Sequence, residues 1–140
     1  MNRSAFQQLA DERLLDASSL LAAGNWAGSY YLAGYTVECG LKSCVLARVA
    51  ADQGVLFDEK NFSARCWTHD LETLLGLADL IRALNADFQI DTLLKAHWLI
   101  VKNWNEMSRY LSQPESEARK LLSAINHPTS GILAWLRKHW

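Results

Sequence analysis

The stretch Tyr30-Tyr31-Leu32-Ala33-Gly34-Tyr35-Thr36-Val37-Glu38-Cys39-Gly40-Leu41-Lys42 limits what this chain can fold into more than any other segment. Ala27, Tyr31, Gly34, Glu38, Leu41 and Val45 recur at steps of three or four residues, the repeat of one helix face, while Tyr30, Val37 and Cys44 widen the apolar surface. A helix apolar around most of its circumference has to be buried, so the segment reads as the central helix of a bundle. Gly34 and Gly40 each cost such a helix about 1 kcal/mol relative to alanine, and close approach by another helix is the compensation to expect. Glu38 precedes Lys42 by four residues, a pairing that contributes only ~0.2–0.5 kcal/mol on a helix surface. That gain is too small to justify burying a carboxylate. A buried Glu38 therefore serves either as an interhelical hydrogen-bond hub or as part of a functional site.

The rest of the chain supplies partners for that helix. Ser4 to Ala23 mixes Phe6, Leu9, Leu14, Leu20 and Leu21 with Asp11, Glu12, Arg13 and Asp16, an amphipathic first helix ended by Gly24-Asn25. The central helix then runs from Trp26 to Ala51, and so short a turn makes the two antiparallel neighbours. From Asp52 to Trp67 the periodicity breaks, and Phe57, Phe62 and Trp67 are expected to pin an irregular loop to the bundle. Thr68 is positioned to cap a third helix with Leu71, Leu74, Leu75, Ala78 and Ile81 inward, broken at Asn85. Asp70 and Glu72 sit where its dipole favours negative charge. A fourth helix is expected from Ile90 to Leu111, burying Leu94, Trp98, Val101, Trp104 and Met107. A fifth opens at Glu115 and closes at Pro128, burying Ala118, Leu121, Leu122 and Ile125. A last short helix, Gly131 to Trp140, is too apolar to float free and should dock on the bundle or on a second subunit.

The whole is thus expected to be all-α: an up-and-down bundle of about five helices plus a short C-terminal helix, forming a single domain over residues 1–140. Half of the residues are apolar and glycine and proline are few, which favours a packed core over disorder. No apolar run reaches the length of a membrane span, and the N-terminus turns polar before a signal-peptide core could form, so a cytoplasmic protein is expected. Cys39, Cys44 and Cys66 lack paired metal-ligand spacing and are expected to be reduced, mostly buried thiols. Charge is uneven: seven Lys and Arg face twelve Asp and Glu through residue 94, against seven and three from Lys95 onward. An anionic partner such as phosphate or RNA would be drawn first to that basic final third, which also holds His97, His127 and His139.

Several chemistries lack a sequence basis. The four histidines form neither His-x3-His nor His-Glu-x2-His and there is no Cys-x2-Cys, so neither a metal site nor a cofactor is expected. A Gly-x-Ser-x-Gly elbow and a phosphate-cradling glycine loop are also missing. What remains is a set of polar groups on otherwise apolar helices, Glu38, Lys42, His69, His97, Arg109 and Tyr110, which are ordinary one by one but together could line a cleft.

The segment from Tyr31 to Lys42 resembles the second helix of the HEPN family (higher eukaryotes and prokaryotes nucleotide-binding), with its Ala-Gly-Tyr-x-x-Glu-x-x-Leu-Lys pattern. In the same order, His69-Asp70-Leu71 looks like the family's His-x-Leu start to the third helix, and Trp104-Asn105-Glu106-Met107-Ser108-Arg109-Tyr110 like its Trp-to-Arg-Tyr segment. Gly131-Ile132-Leu133-Ala134-Trp135-Leu136 is similar to the Gly-Val-Leu-x-Trp-Ile that closes some members. The resemblance implies an all-α bundle that commonly forms a homodimer, often beside a minimal nucleotidyltransferase in a toxin-antitoxin or stress-response system. It marks Glu38, Lys42, His69, Arg109 and Tyr110 as ligand-binding candidates.

Many members of that family are metal-independent ribonucleases carrying Arg, a polar residue and His, with four to six residues between the Arg and the His. Here Arg119 and His127 have seven between them, with Lys120 following the arginine and Pro128 the histidine. On an ideal helix that spacing turns the two side chains about 80° apart. Metal-free RNA cleavage needs a proton-transfer group and a cation together at the scissile phosphate. The resemblance therefore favours a non-catalytic binding module that engages a nucleotide, RNA or a nucleotidyltransferase partner. The alternative is a metal-independent endoribonuclease toxin using Arg119 and His127 as a relaxed motif, or a site that includes His69 and Arg109.

Overall fold

A side-chain cap starts the first helix: Asn2 accepts the Ala5 N–H, and α1 runs over Arg3–Ala22 in the computed structural model, which describes all 140 residues, Met1 to Trp140. It ends in a Schellman turn, with the Asn25 N–H bonding to the Leu20 carbonyl at 2.8 Å and the Gly24 N–H to the Leu21 carbonyl at 3.2 Å. Gly24 takes the left-handed φ of +82° that this turn requires. The chain reverses into α2, Trp26–Ala51, and the two helices pack along one another as an antiparallel hairpin. Ser29 fastens it across the seam by donating its hydroxyl to the Ala17 carbonyl at 2.8 Å.

α2 is the central element, with its residues buried from Thr36 through Leu41. Both glycines are sites of close approach. A Cβ at Gly34 would lie 2.2 Å from the indole carbons of Trp104, and one at Gly40 would lie 2.9 Å from a methyl of Leu136. The helical cost of each glycine is thus offset by a large side chain laid on the backbone, and no second helix axis is needed at Gly34.

The remaining elements are α3 (Val55–Asp58), α4 (Phe62–Arg65), α5 (Leu71–Leu77), α6 (Ile81–Phe88), α7 (Thr92–Val101), a 3-10 helix (Glu106–Tyr110), α8 (Glu115–Asn126) and α9 (Ile132–Leu136). The fold is all-α. One buried apolar cluster runs from Ala17 on α1 through α2 and α5 to Leu136 on α9. No helix is long and apolar enough to cross a membrane.

Two expected elements are re-capped or subdivided. Asp70, rather than Thr68, caps α5 by accepting the Thr73 N–H at 2.7 Å, while the Thr68 hydroxyl accepts the Asp70 N–H. The same expected helix, read as running from Thr68 to a break at Asn85, divides because Asp79 adopts φ +58° and closes a second Schellman turn, Leu80 N–H to Leu75 carbonyl. The expected helix from Ile90 to Leu111 stops at Val101, since Asn105 is extended and caps the 3-10 helix by accepting the Met107 N–H. Trp104 is thereby free to turn onto α2, and Met107, expected in the core, is half-exposed.

The loop expected from Asp52 to Trp67 holds the two single-turn helices α3 and α4. Of its three aromatics only Phe62 is buried, whereas Phe57 is 92% and Trp67 82% exposed, which corrects the expectation that all three pin the loop. At the other end of the chain α9 buries Ile132, Leu133, Trp135 and Leu136 against α2 and α8. The Trp135 indole N–H donates to Asp87 at 2.7 Å, tying α9 to α6.

Candidate functional site

Glu38 sits on the face of α2 that the helical phase turns inward, and it is 1% exposed. Its carboxylate is not left unpaired. Lys42, one turn later, donates from Nζ to Oε1 at 2.8 Å, the in-helix pairing that their spacing allows. The second partner comes from outside the helix: His69, on the short extended entry to α5, places Nδ1 3.0 Å from Oε1 and 3.1 Å from Oε2. A carboxylate only accepts, so Nδ1 carries the ring proton. Lys42 is largely buried, and the His69 side chain is 49% exposed. The result is a buried anion that fixes two surface-reaching groups at one point.

Tyr35 and Cys39 surround the same carboxylate. The Tyr35 hydroxyl is pushed above its usual range by burial first, and then by the neighbouring Cys39 and Glu38. Burial, reinforced by Glu38, pushes the Cys39 thiol up to about 12, which removes it as a nucleophile. Tyr35 in turn lies parallel to Tyr31, ring centres 6.3 Å apart, and Tyr31 lies 6.0 Å from Trp104. This aromatic row connects the Glu38 cluster to the residue packed on Gly34. Tyr35 was legible only as part of the motif, since nothing in its own spacing singles it out.

Of the five ligand-binding candidates, Glu38, Lys42 and His69 come together and the other two stand apart. Arg109 and Tyr110 are exposed on the 3-10 helix, the guanidinium lying over the tyrosine ring at 4.8 Å. Arg109 pairs with neither Glu106 nor Glu115, and Glu115 instead meets Arg119 through an Nε–Oε1 contact of 2.7 Å.

Arg119 and His127 occupy different structural settings. Arg119 is exposed on α8 and held back along its own helix by Glu115, one turn nearer the N-terminus. His127 lies beyond the end of α8 as its C-terminal flanking residue, and its Nδ1 accepts the Ser130 N–H at 3.0 Å. That bond closes the turn into α9. His97 approaches from α7, its Nδ1 donating to the Ser130 carbonyl at 2.8 Å and its ring centre 5.2 Å from that of His127. One residue, Ser130, thus fixes opposite tautomers in the two rings: His127 carries its proton on Nε2 and His97 on Nδ1. This pairing has no signature in the spacing of residues 97 and 127.

No three His, Cys, Asp or Glu side chains converge as metal ligands do. A groove of about 180 Å³ lies between α2, α7 and α8, lined in part by Tyr30, Asn103, Glu117 and Lys120. Pockets that enclose small molecules are larger, roughly 300–1,000 Å³. Glu38, Lys42 and His69 do not line that groove; their arrangement presents a positioned ammonium and imidazole at the surface. Comparison of the chain with protein-family models, with curated proteins and with solved structures finds no match in any of the three.

Proposed function

We propose that the chain is a HEPN-like binding module without catalytic activity of its own, acting in the cytoplasm as a homodimer. It engages a nucleotide, RNA or a nucleotidyltransferase partner in a toxin-antitoxin or stress-response system. One observation carries this reading: the buried Glu38 carboxylate delivers Lys42 and the half-exposed His69 to one surface point. The Lys42 ammonium keeps N–H groups free for phosphate oxygens, the imidazole beside it offers Nε2 as an acceptor for a ligand hydroxyl or N–H, and their anchor is the most buried charged group of the chain. Ribonuclease action is disfavoured by the other pair, because Arg119 and the Nδ1 of His127 are each already engaged locally.

The test is incubation of the purified protein with total RNA and with radiolabelled nucleotides, without metal, read by gel and by filter binding. Retention without cleavage, weakened in His69→Ala and Lys42→Ala but not in Arg119→Ala, is the expected result. Cleavage lost in His127→Ala would overturn the reading in favour of a ribonuclease. Absence of both signals would remove nucleotide and RNA as ligands and leave the protein partner.

A further inference from the structure

We propose that His69 is a phosphoryl-acceptor site, with Nε2 as the nucleophile, Glu38 as the positioning residue and Lys42 as the cation that receives the phosphoryl oxygens. The inference rests on the reading that this cluster is a working site. It adds a covalent role to a point so far described as one of recognition.

Tautomer comes first. Because Nδ1 lies 3.0 and 3.1 Å from two carboxylate oxygens, the neutral ring holds its proton there and its free lone pair sits at Nε2. No protein group hydrogen-bonds to Nε2. The ring is half-exposed, and its Nδ1 edge faces a carboxylate with 2% side-chain exposure, so the Nε2 edge is the one turned to solvent. An imidazole whose far nitrogen is pinned by a buried carboxylate is fixed in both tautomer and direction, the same device that orients histidines for chemistry at other sites.

The cation decides the class of electrophile. Lys42 and His69 share one oxygen, Oε1, so the ammonium is held beside the imidazole. It spends one of its three N–H groups on Glu38, which leaves two for an incoming group rich in anionic oxygens, and a phosphoryl group has three. The same ammonium repels a metal ion, and no cluster of three metal-binding side chains stands here to outweigh it.

With an acyl phosphate as donor the step balances. The Nε2 lone pair attacks phosphorus, the P–O bond to the carboxyl oxygen breaks, and the carboxylate departs with that electron pair. The proton stays on Nδ1. The product is a phosphorylated imidazolium whose positive charge lies against Glu38, so the buried carboxylate stabilises the charge that the reaction creates.

The experiment treats the intact chain with acetyl phosphate and, separately, with phosphoramidate. Intact mass and peptide mapping at alkaline pH locate the label, ³¹P NMR identifies the nitrogen, and ¹H–¹⁵N long-range NMR reads the His69 tautomer in untreated protein. The expected result is a proton on Nδ1 of His69 and first labelling at its Nε2, at least tenfold faster than at His97, His127 or His139. Labelling slows at least tenfold in Lys42→Gln and in Glu38→Gln and disappears from this site in His69→Asn. A proton on Nε2, labelling at Nδ1, or His69 reacting no faster than the other histidines overturns the proposal. The wild-type comparison alone decides this should Glu38→Gln not fold. RNA and nucleotide binding that persists without preferential labelling sinks this proposal and spares the binding module, whereas labelling without binding does the reverse.

Discussion

α2 and the segment that follows it, residues 52–70, are neighbours in sequence and meet at the Glu38–His69 contact, yet they solve opposite problems. α2 carries polar groups into the core: Ser29, Thr36, Glu38 and Ser43 are all buried. Residues 52–70 carry aromatics out of it, with Phe57 and Trp67 almost fully exposed and Phe62 alone inserted. In the long helix, phase decides what is buried, because a rigid 3.6-residue repeat leaves each side chain one direction. In the connecting segment two single turns of helix impose no common face, so one anchor suffices and the other aromatics follow the local backbone. A polar residue in the helix is thus informative about a site, and an aromatic residue in the segment is uninformative about the core.

Thiol chemistry gives the largest expected contrast between the two regions. Burial pushes Cys39 and Cys44 of α2 up to about 12, so at pH 8 only on the order of one thiol in ten thousand is the reactive thiolate. Cys66, in the connecting segment, is raised too, but it is only partly buried and is flanked by Arg65 and Lys42, which oppose the shift. Iodoacetamide at pH 8 should alkylate Cys66 at least 100-fold faster than either α2 thiol, with all three equal in denaturant. Labelling of Cys39 at the rate of Cys66 would mean that α2 is not the buried element described.

Core and surface aromatics sharpen the same comparison through stability. Phe62→Ala should cost about 3 kcal/mol, the usual scale for emptying a buried phenylalanine site, and it also removes the ring beneath the Arg48 guanidinium. Trp67→Ala, two residues past α4, should stay within about 0.5 kcal/mol, as surface substitutions do. Urea midpoints of the two variants measure the difference, and equal losses would place Trp67 against an unrecognised part of the core.

What the sequence reveals follows the same division. α2 was legible to both ends, and α1 and α8 to within about a residue or two, because their apolar repeats are long and are closed by Gly24-Asn25 and Pro128. Burial of Glu38 was legible from phase alone. Its partner was half legible: Lys42 lies at helical spacing, but His69 is 31 residues away and stood out only as one of six polar groups that together could line a cleft. The breaks at Asp79 and Asn105 were not legible, since the i, i+3 stripe through Trp98, Val101, Trp104 and Met107 continues across the second one. Tertiary packing of Trp104 on Gly34 overrides that stripe, and a contact between residues 70 apart leaves no trace in a local pattern.

Glu38→Ala should cost about 2 kcal/mol, and more than 1.5, as expected for removing charge-assisted hydrogen bonds from a buried site. The loss stays below that of an orphaned buried charge, because Lys42 and His69 both reach solvent and rehydrate once released. Thermal or urea unfolding of Glu38→Ala beside the exposed control Glu106→Ala checks it. A shift no larger than the control's would leave α2 and the connecting segment joined by packing alone.

The smallest effects belong to Arg119 and His127, the pair of the ribonuclease alternative, and their order separates the two roles. His127→Ala should cost about 1 kcal/mol, since it removes the acceptor for the Ser130 N–H and loosens the turn that carries α9 back onto α2. Arg119→Ala should cost no more than about 0.5 kcal/mol, because its only partner is an exposed carboxylate one turn away, and surface pairs of this kind contribute little. Catalytic residues commonly show the reverse pattern, in which removal leaves stability unchanged or improves it while activity falls. Unfolding midpoints measured beside a metal-free RNA assay therefore read both roles at once. A stability loss in His127→Ala with no RNA signal in the wild type assigns His127 to the α8–α9 turn. Unchanged stability together with lost cleavage would transfer the functional centre from Glu38 and His69 to the far end of α8.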